Sequence, residues 1–193
     1  SVAYTHGTTG SAVTWISSDQ NVATVDANGT VKAVGLGTAN ITASSQGKTD
    51  SVTFAVNPKV TVSPTTLDMG ESGSGSLTAT AQPDGTYTYT WTSSNTGVAT
   101  VSGSGNTAAV HGAALGSSTI TVKATSGVYT ATATATVNVK PIATSIDIYQ
   151  NTTKVTNTTV SMTRSPMQLK CVTTPADALG TMTWTSSDNS VLT

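Results

Sequence analysis

Apolar and polar residues alternate with a period of two along much of this chain. The alternation is clearest in residues 131–139, where alanine and valine occupy the odd positions and threonine and asparagine the even ones. This pattern predicts a β-strand with one buried and one solvated face. Two further runs alternate in the same way: Val52, Phe54 and Val56, and Tyr87, Tyr89 and Trp91. Short strands with a turn about every 8–12 residues predict an all-β fold built from antiparallel β-sandwiches.

A tryptophan motif occurs three times and sets the domain organisation. The sequence Trp-x-Ser-Ser-Asp/Asn begins at Trp15, Trp91 and Trp184, and a valine stands seven residues after each tryptophan. The spacings between tryptophans, 76 and 93 residues, have the size of whole domains. Prolines at 58 and 141 follow strand-like runs and mark the joints. We therefore predict three β-sandwich units, with residues 1–57, 58–140 and 141–193 as unit one, unit two and unit three.

Composition supports strands and excludes several classes of partner. The chain has 42 threonines and 24 serines, about a third of its 193 residues, and threonine suits the solvated face of a sheet. Only 9% of residues are charged and the net charge is −1, with no basic run, so we expect no nucleic-acid partner. No stretch of about 20 apolar residues is present, so we expect no membrane insertion.

The repeated residues resemble a known family. Trp15-Ile-Ser-Ser-Asp, then Val22-Ala-Thr-Val, a glycine turn and Leu36-Gly-Thr-Ala-Asn-Ile-Thr are similar to the bacterial immunoglobulin-like domain of group 2. The resemblance covers nearly the whole chain. It implies tandem β-sandwiches without an internal disulfide, as found on intimin-like and invasin-like surface proteins, in secreted polysaccharide-degrading enzymes and on phage tail or capsid proteins.

The three tryptophans are the first candidates for function. An exposed indole could stack on a sugar ring, whereas a buried one would bridge the two sheets. Recurrence at one position of every unit favours the second interpretation, so Trp15, Trp91 and Trp184 are predicted to be structural core residues. The core of unit two is also predicted to contain Leu67, Leu77, Ala79, Tyr89, Val101, Ile120, Val122, Val137 and Val139.

Other residue types offer little chemistry. His6 and His111 lie in different units without a nucleophile or acid nearby in sequence. Asp26 and Asn28 could contribute to a calcium site, but a hairpin turn explains an Asp-Ala-Asn-Gly run better. Cys171 aligns with Ala79 of unit two and is expected to be a small buried residue. We therefore predict no catalytic residue, no metal site and no cofactor.

These features favour a non-enzymatic structural spacer or adhesion array, located outside a bacterial cell or on a phage particle. Its expected partners are other domains of a longer parent chain, with a host-surface glycan or protein as a further candidate. The alternative function is a glycan-binding accessory module of a larger secreted polysaccharide-degrading enzyme. Exposed, coplanar aromatic rings would favour the alternative, and buried tryptophans beneath threonine-covered faces would favour the spacer.

The two outer units lack parts of the pattern. Unit one shows no recognisable first strand, and Val2 to His6 are a candidate remnant of the strand that follows it. Unit three is expected to be truncated at Thr193, just past its third strand. Two explanations are open: a longer parent chain completes both units, or the outer units of neighbouring copies complete each other by strand addition. Both outer units carry the tryptophan strand, and that duplication favours the longer parent chain.

Overall fold

The structure, a computed structural model, describes residues 12–156, 160 and 167–187. These residues form sixteen strands and contain no helix, which confirms the predicted all-β class. His6 and the valine at position 191 lie outside the described residues.

The described residues of unit one form five strands around a small core. The strand β4 pairs antiparallel with β1 on one side and β5 on the other, while β2 and β3 form a separate hairpin. Val22, Ala23, Ala39 and Ile41 are buried between them, and Trp15 packs against this cluster. The strands are β1 (Thr14–Ser17), β2 (Ala23–Val25), β3 (Val31–Ala33), β4 (Gly37–Ser45) and β5 (Lys48–Val56).

Unit two is a sandwich of two four-stranded sheets. One sheet has the strand order β10-β11-β8-β6 and the other has the order β7-β13-β12-β9. Its strands are β6 (Lys59–Ser63), β7 (Thr66–Gly70), β8 (Ser74–Gln82), β9 (Thr88–Ser93), β10 (Ala99–Ser102), β11 (Thr107–Gly112), β12 (Gly116–Ser126) and β13 (Tyr129–Lys140).

The core of unit two agrees with the prediction from alternation. Along β13, Ala135, Val137 and Val139 are buried while the threonines between them are exposed. All ten residues predicted for this core, Trp91 included, either belong to one buried cluster or pack against it. The period-two pattern therefore identifies the inward face of each strand.

One strand pair departs from the antiparallel expectation. The strands β7 and β13 pair in parallel, with Thr136 opposite Thr66 and Lys140 opposite Gly70. The chain leaves the first sheet at Pro64, between β6 and β7, because proline has no backbone N–H to continue the ladder. The next strand then joins the second sheet beside β13, running in the same direction.

Unit three is described only in part. Its three strands are β14 (Ser145–Gln150), β15 (Thr153–Lys154) and β16 (Leu169–Thr174), and β14 pairs antiparallel with both of the others. Residues 181–186 form no strand. The sheet of unit three therefore corresponds to the β6–β8 part of unit two.

The strand β5 of unit one is less covered than the sequence pattern indicates. Val52 and Phe54 are 52% and 38% exposed although both point inward, because each pairs with a buried residue of β4. In unit two the corresponding strand β13 faces β6 across the core. In unit one the described residues place only the β2–β3 hairpin opposite, so much of β5 lacks cover.

Candidate functional site

The tryptophans of the first two units occupy equivalent, half-buried positions. Trp15 lies on β1 and Trp91 on β9, and each packs against the core cluster of its own unit. The indole Nε1 of Trp91 donates a hydrogen bond to the carbonyl oxygen of Gly105, at 2.9 Å. Because Gly105 lies in the turn between β10 and β11, this bond ties the indole to the neighbouring hairpin. That geometry is consistent with a structural role for both residues.

The hairpin turn of unit one covers Trp15 closely. Gly29 has a φ of +81°, and a Cβ added there would lie 2.8 Å from Cζ2 of the indole. A side chain is therefore excluded both by the left-handed backbone and by the ring. Glycine at this position allows the turn to close over the tryptophan.

Asp26 organises the same turn through its carboxylate. Its Oδ1 accepts hydrogen bonds from the backbone N–H groups of Thr30 and Asn28, at 2.8 and 2.9 Å. The bond from Thr30, more than any other interaction, lowers the pKa of Asp26 below 3.8. The carboxylate is thus engaged by backbone amides, as expected for a turn residue. Within the described residues, no group of three or more His, Cys, Asp or Glu side chains could hold a metal ion.

The Ser-Ser-Asp/Asn part of the motif connects neighbouring elements in the same way in both units. Ser94 Oγ accepts the backbone N–H of Thr119 at 2.9 Å, and Ser18 Oγ accepts that of Asn40 at 2.9 Å. Asn95 Oδ1 then accepts the N–H of Gly97, as Asp19 Oδ1 accepts that of residue 21. These side chains replace backbone partners where strands β1 and β9 end. In units one and two the motif therefore fixes strand ends.

A buried serine supports this network in unit two only. Ser118 Oγ lies 2.9 Å from Ser93 Oγ, 3.3 Å from Ser94 Oγ and 3.1 Å from the backbone nitrogen of Asn95, which donates to it. It is the one buried polar side chain in the described part of the chain. The corresponding position of unit one is Ala39, so the sequence repeat gives no signal for it.

Trp184 differs from the other two tryptophans, and its prediction as a core residue is not supported by its position. Its side chain is 55% exposed, and Met182 beside it is 44% exposed. Trp15 and Trp91 pack where β1 and β9 pair with the next long strand, β4 and β12. Residues 181–186 have no such pairing in the described structure. The motif alone therefore does not ensure burial.

The remaining candidates show no catalytic arrangement among the described residues. The ring of His111 lies 3.4 Å, Nδ1 to Oγ, from the exposed hydroxyl of Ser74, and no carboxylate bonds to it. Cys171 is a free, half-buried thiol on β16. No helix in the described ranges has the length and apolar character needed to cross a membrane.

The sheet architecture, the tandem arrangement and the shared motif together define a chain of Ig-like β-sandwich domains. The sequence profile of the bacterial Ig-like domain (group 2) matches residues 1–56 and 57–141, more than half of the chain. The chain belongs to this family, as its residues predicted.

Comparisons with other proteins add little beyond the family. No curated protein matches the chain. A crystal structure of the S-layer protein SbsC, domains 4 and 5, is 27% identical over 66% of this chain and 70% of that one, with a TM-score of 0.36. A structure of SbsC domains 4–9 is 26% identical over 84% of this chain but only 27% of that one, with a TM-score of 0.37. TM-scores this low do not support an inference about function.

Proposed function

We propose that the chain is a non-enzymatic structural spacer or adhesion array, exposed on a bacterial surface protein or on a phage appendage. The observation that carries this proposal is how the repeated motif is used. Its tryptophans, serines and Asx residues in units one and two pack against the core or close turns, which leaves no motif side chain for chemistry. The outward face of β13 presents only Thr130, Thr132, Thr134 and Thr136 over most of its length.

The topology of unit two suits a domain that carries tension. The chain enters through β6 and β7 and leaves through β13, and β7 and β13 are parallel neighbours over five residue pairs. A pull on the two ends therefore shears this pair along the strand axis, so its hydrogen bonds must break together. Asp68 on β7 reinforces the contact, because its carboxylate bonds to Lys140 Nζ and to Asn138 Nδ2 on β13.

Force spectroscopy on the 193-residue chain, tethered at its two ends, tests the spacer function. Unit two should unfold in one event. The extension should be roughly 24 nm, because each residue spans about 3.4 Å in the extended chain and the length of the folded unit is subtracted from the total. Asp68→Ala should lower the unfolding force, whereas Lys123→Ala, an exposed residue of β12 in the same sheet, should not. Smooth lengthening without a discrete event would contradict the proposal.

The alternative, a glycan-binding module, has one observation in its favour, the exposed indole of Trp184. Other features oppose it. In the described structure the ring contact is between Tyr87 and Tyr89, whose planes are tilted by 46° and which pack on the core. The groove of about 560 Å³ beside Lys32, Lys59 and Asp84 has no aromatic ring in its lining. A platform of coplanar rings is therefore lacking among the described residues.

A fluorescence titration against a panel of polysaccharides separates the two functions. The spacer predicts no saturable quenching of tryptophan emission with any of them. Saturable quenching that disappears in Trp184→Ala, but persists in Met182→Ala, would favour the glycan-binding module. Labelling of intact cells or particles with antibodies raised against unit two would test the exposed location.

A further inference from the structure

The hairpin turn of unit one contains an asparagine followed by a glycine, the pair of residues at which a side-chain amide is lost most readily in water. Asn28-Gly29 is the one Asn-Gly pair in the 193-residue sequence. Asn28 is exposed, so water reaches its side chain. Glycine has no side chain to hinder its own backbone nitrogen, which is the attacking atom in this reaction. The turn therefore carries a reactive site that the function proposed above does not use.

Loss of the amide proceeds through a ring between the two residues. The backbone nitrogen of Gly29 attacks Cγ of Asn28, the side-chain nitrogen leaves as ammonia with the proton of the attacking N–H, and a succinimide forms. Water then opens this ring at one of its two carbonyl carbons. Opening at one carbon gives aspartate at position 28, and opening at the other gives isoaspartate, whose main chain is one carbon longer. Water is the only reactant that the chain itself does not supply.

The folded turn opposes the first step, because the attacking nitrogen is already bonded. The N–H of Gly29 donates to the carbonyl oxygen of Asp26 at 3.0 Å, and the N–H of Asp26 donates to the carbonyl oxygen of Thr30 at 3.1 Å. The Asp26 carboxylate also accepts the N–H groups of Asn28 and Thr30. Attack requires the Gly29 nitrogen to leave its bond and turn toward the Asn28 side chain, so the turn must open first.

The closed turn has no room for the longer main chain of isoaspartate. Gly29 lies so close to the Trp15 ring that an added Cβ would be 2.8 Å from the indole Cζ2. One extra carbon between positions 28 and 29 must move Gly29 either into the indole or away from the carbonyl oxygen of Asp26. In both cases the closed turn over Trp15 is lost.

We propose that Asn28 is a site of spontaneous deamidation, which the closed turn of unit one suppresses and which opening of the turn permits. Because ammonia is lost, the reaction does not reverse in water. A unit that has stayed open long enough therefore carries isoaspartate at position 28 and does not close again on Trp15. The inference is independent of the proposed function and holds for a spacer or a glycan-binding module.

Unit two supplies an internal control for the reaction. Its turn between β10 and β11 contains Asn106, which is exposed like Asn28 but is followed by Thr107. The branched side chain of threonine crowds its own backbone nitrogen and hinders the attack. Asn106 should therefore react slowly whether unit two is folded or unfolded.

Mass spectrometry of the full chain, incubated in mildly alkaline buffer with and without urea, tests the site. We expect Asn28 to deamidate in urea, and at least about tenfold more slowly in the folded chain, because the folded rate is scaled by the fraction of time that the turn is open. Asp26→Ala removes the carboxylate that holds the turn and should raise the folded rate. Asp50→Ala, an exposed residue of β5 in the same unit, should not.

Three outcomes of this experiment would overturn the proposal. They are equal rates at Asn28 in the folded and urea-unfolded chains, no faster reaction at Asn28 than at Asn106 in urea, and an unchanged folded rate in Asp26→Ala.

The consequence for the turn is tested on the modified chain after the urea is removed. The isoaspartyl form should lack the native NMR signal of the Trp15 indole, while unit two melts as before. Asn28→Asp adds the same charge to a main chain of normal length, so this variant should keep the signal. A native Trp15 signal in the isoaspartyl form, or loss of the signal in Asn28→Asp, would show that the longer main chain is not what prevents closure.

Discussion

Trp91 and Trp184 hold the same place in the repeated motif but differ in burial, so they form a matched pair at the scale of single residues. Trp91→Ala should reduce the free energy of unfolding of unit two by about 3–5 kcal/mol, because it leaves a cavity beside the core and removes the bond to Gly105. Trp184→Ala should change the free energy of unfolding by less than about 0.5 kcal/mol, as expected for an exposed side chain. Urea unfolding followed by circular dichroism measures both, and equal losses would contradict this assignment.

Gly29 and Gly47 separate backbone strain from steric contact in unit one. Both have positive φ, +81° and +72°, but an added Cβ meets the Trp15 ring only at Gly29 and open space at Gly47. Gly47→Ala should lower the free energy of unfolding of unit one by about 1–2 kcal/mol, because alanine is disfavoured in the left-handed backbone conformation. Gly29→Ala should cost clearly more, since the indole must also move. The NMR signal of the Trp15 indole during urea unfolding reports both, and similar costs would show that the turn does not press on the ring.

At the scale of elements, the stability that the parallel contact between β7 and β13 gives to unit two should depend on pH. The hydrogen bonds from Lys140 and then Asn138 lower the pKa of Asp68 below its ordinary value of 3.8. A carboxyl whose pKa is lower in the folded state stabilises the fold above pH 3.8, and that contribution disappears as the pH falls through the folded value. Unit two should therefore lose part of its stability in this acidic range.

Asp68→Asn provides the comparison for this effect. The variant keeps the shape of the side chain but loses its charge, so it should be less stable than the unaltered chain at pH 7. The two proteins should converge in stability as the pH falls through the lowered folded pKa of Asp68, and Lys140→Met should likewise weaken the pH dependence. Urea midpoints measured between pH 2 and pH 7 give the result; a constant difference across this range would exclude the ionised pair as its source.

At the scale of the whole molecule, the described parts of the three units differ in how well their inward faces are buried, and we expect the units to differ in autonomy. The core cluster of unit two is formed within residues 58–140. We therefore expect this segment, expressed alone, to unfold in one cooperative transition with the midpoint that it has in the full chain. Residues 1–57 alone should melt broadly, because their inward face on β5 is exposed. A broad transition for 58–140 would show that its boundaries or its independence are wrong.

Much of this fold follows from the sequence because strand formation and face selection are local. Alternation along β13 identifies Val137 and Val139 as inward residues, and the repeat predicts the family and the hairpin at Asp26. The Ser-Ser-Asx motif is visible in the sequence, but its role is not. Each serine hydroxyl accepts a hydrogen bond from a backbone amide of a strand about 20 residues further along the chain. The motif by itself does not identify that amide.

What only the tertiary structure decided is which inward faces are covered. Val52 and Phe54 have the same alternation as Val137 and Val139, and Trp184 the same motif as Trp91, yet only the unit-two residues are packed. The pattern determines the side of a strand on which an apolar residue lies, whereas burial requires a second sheet from distant parts of a chain. The parallel pairing of β7 with β13 and the hydrogen bonds of Ser118 also depend on contacts between strands that are far apart in sequence.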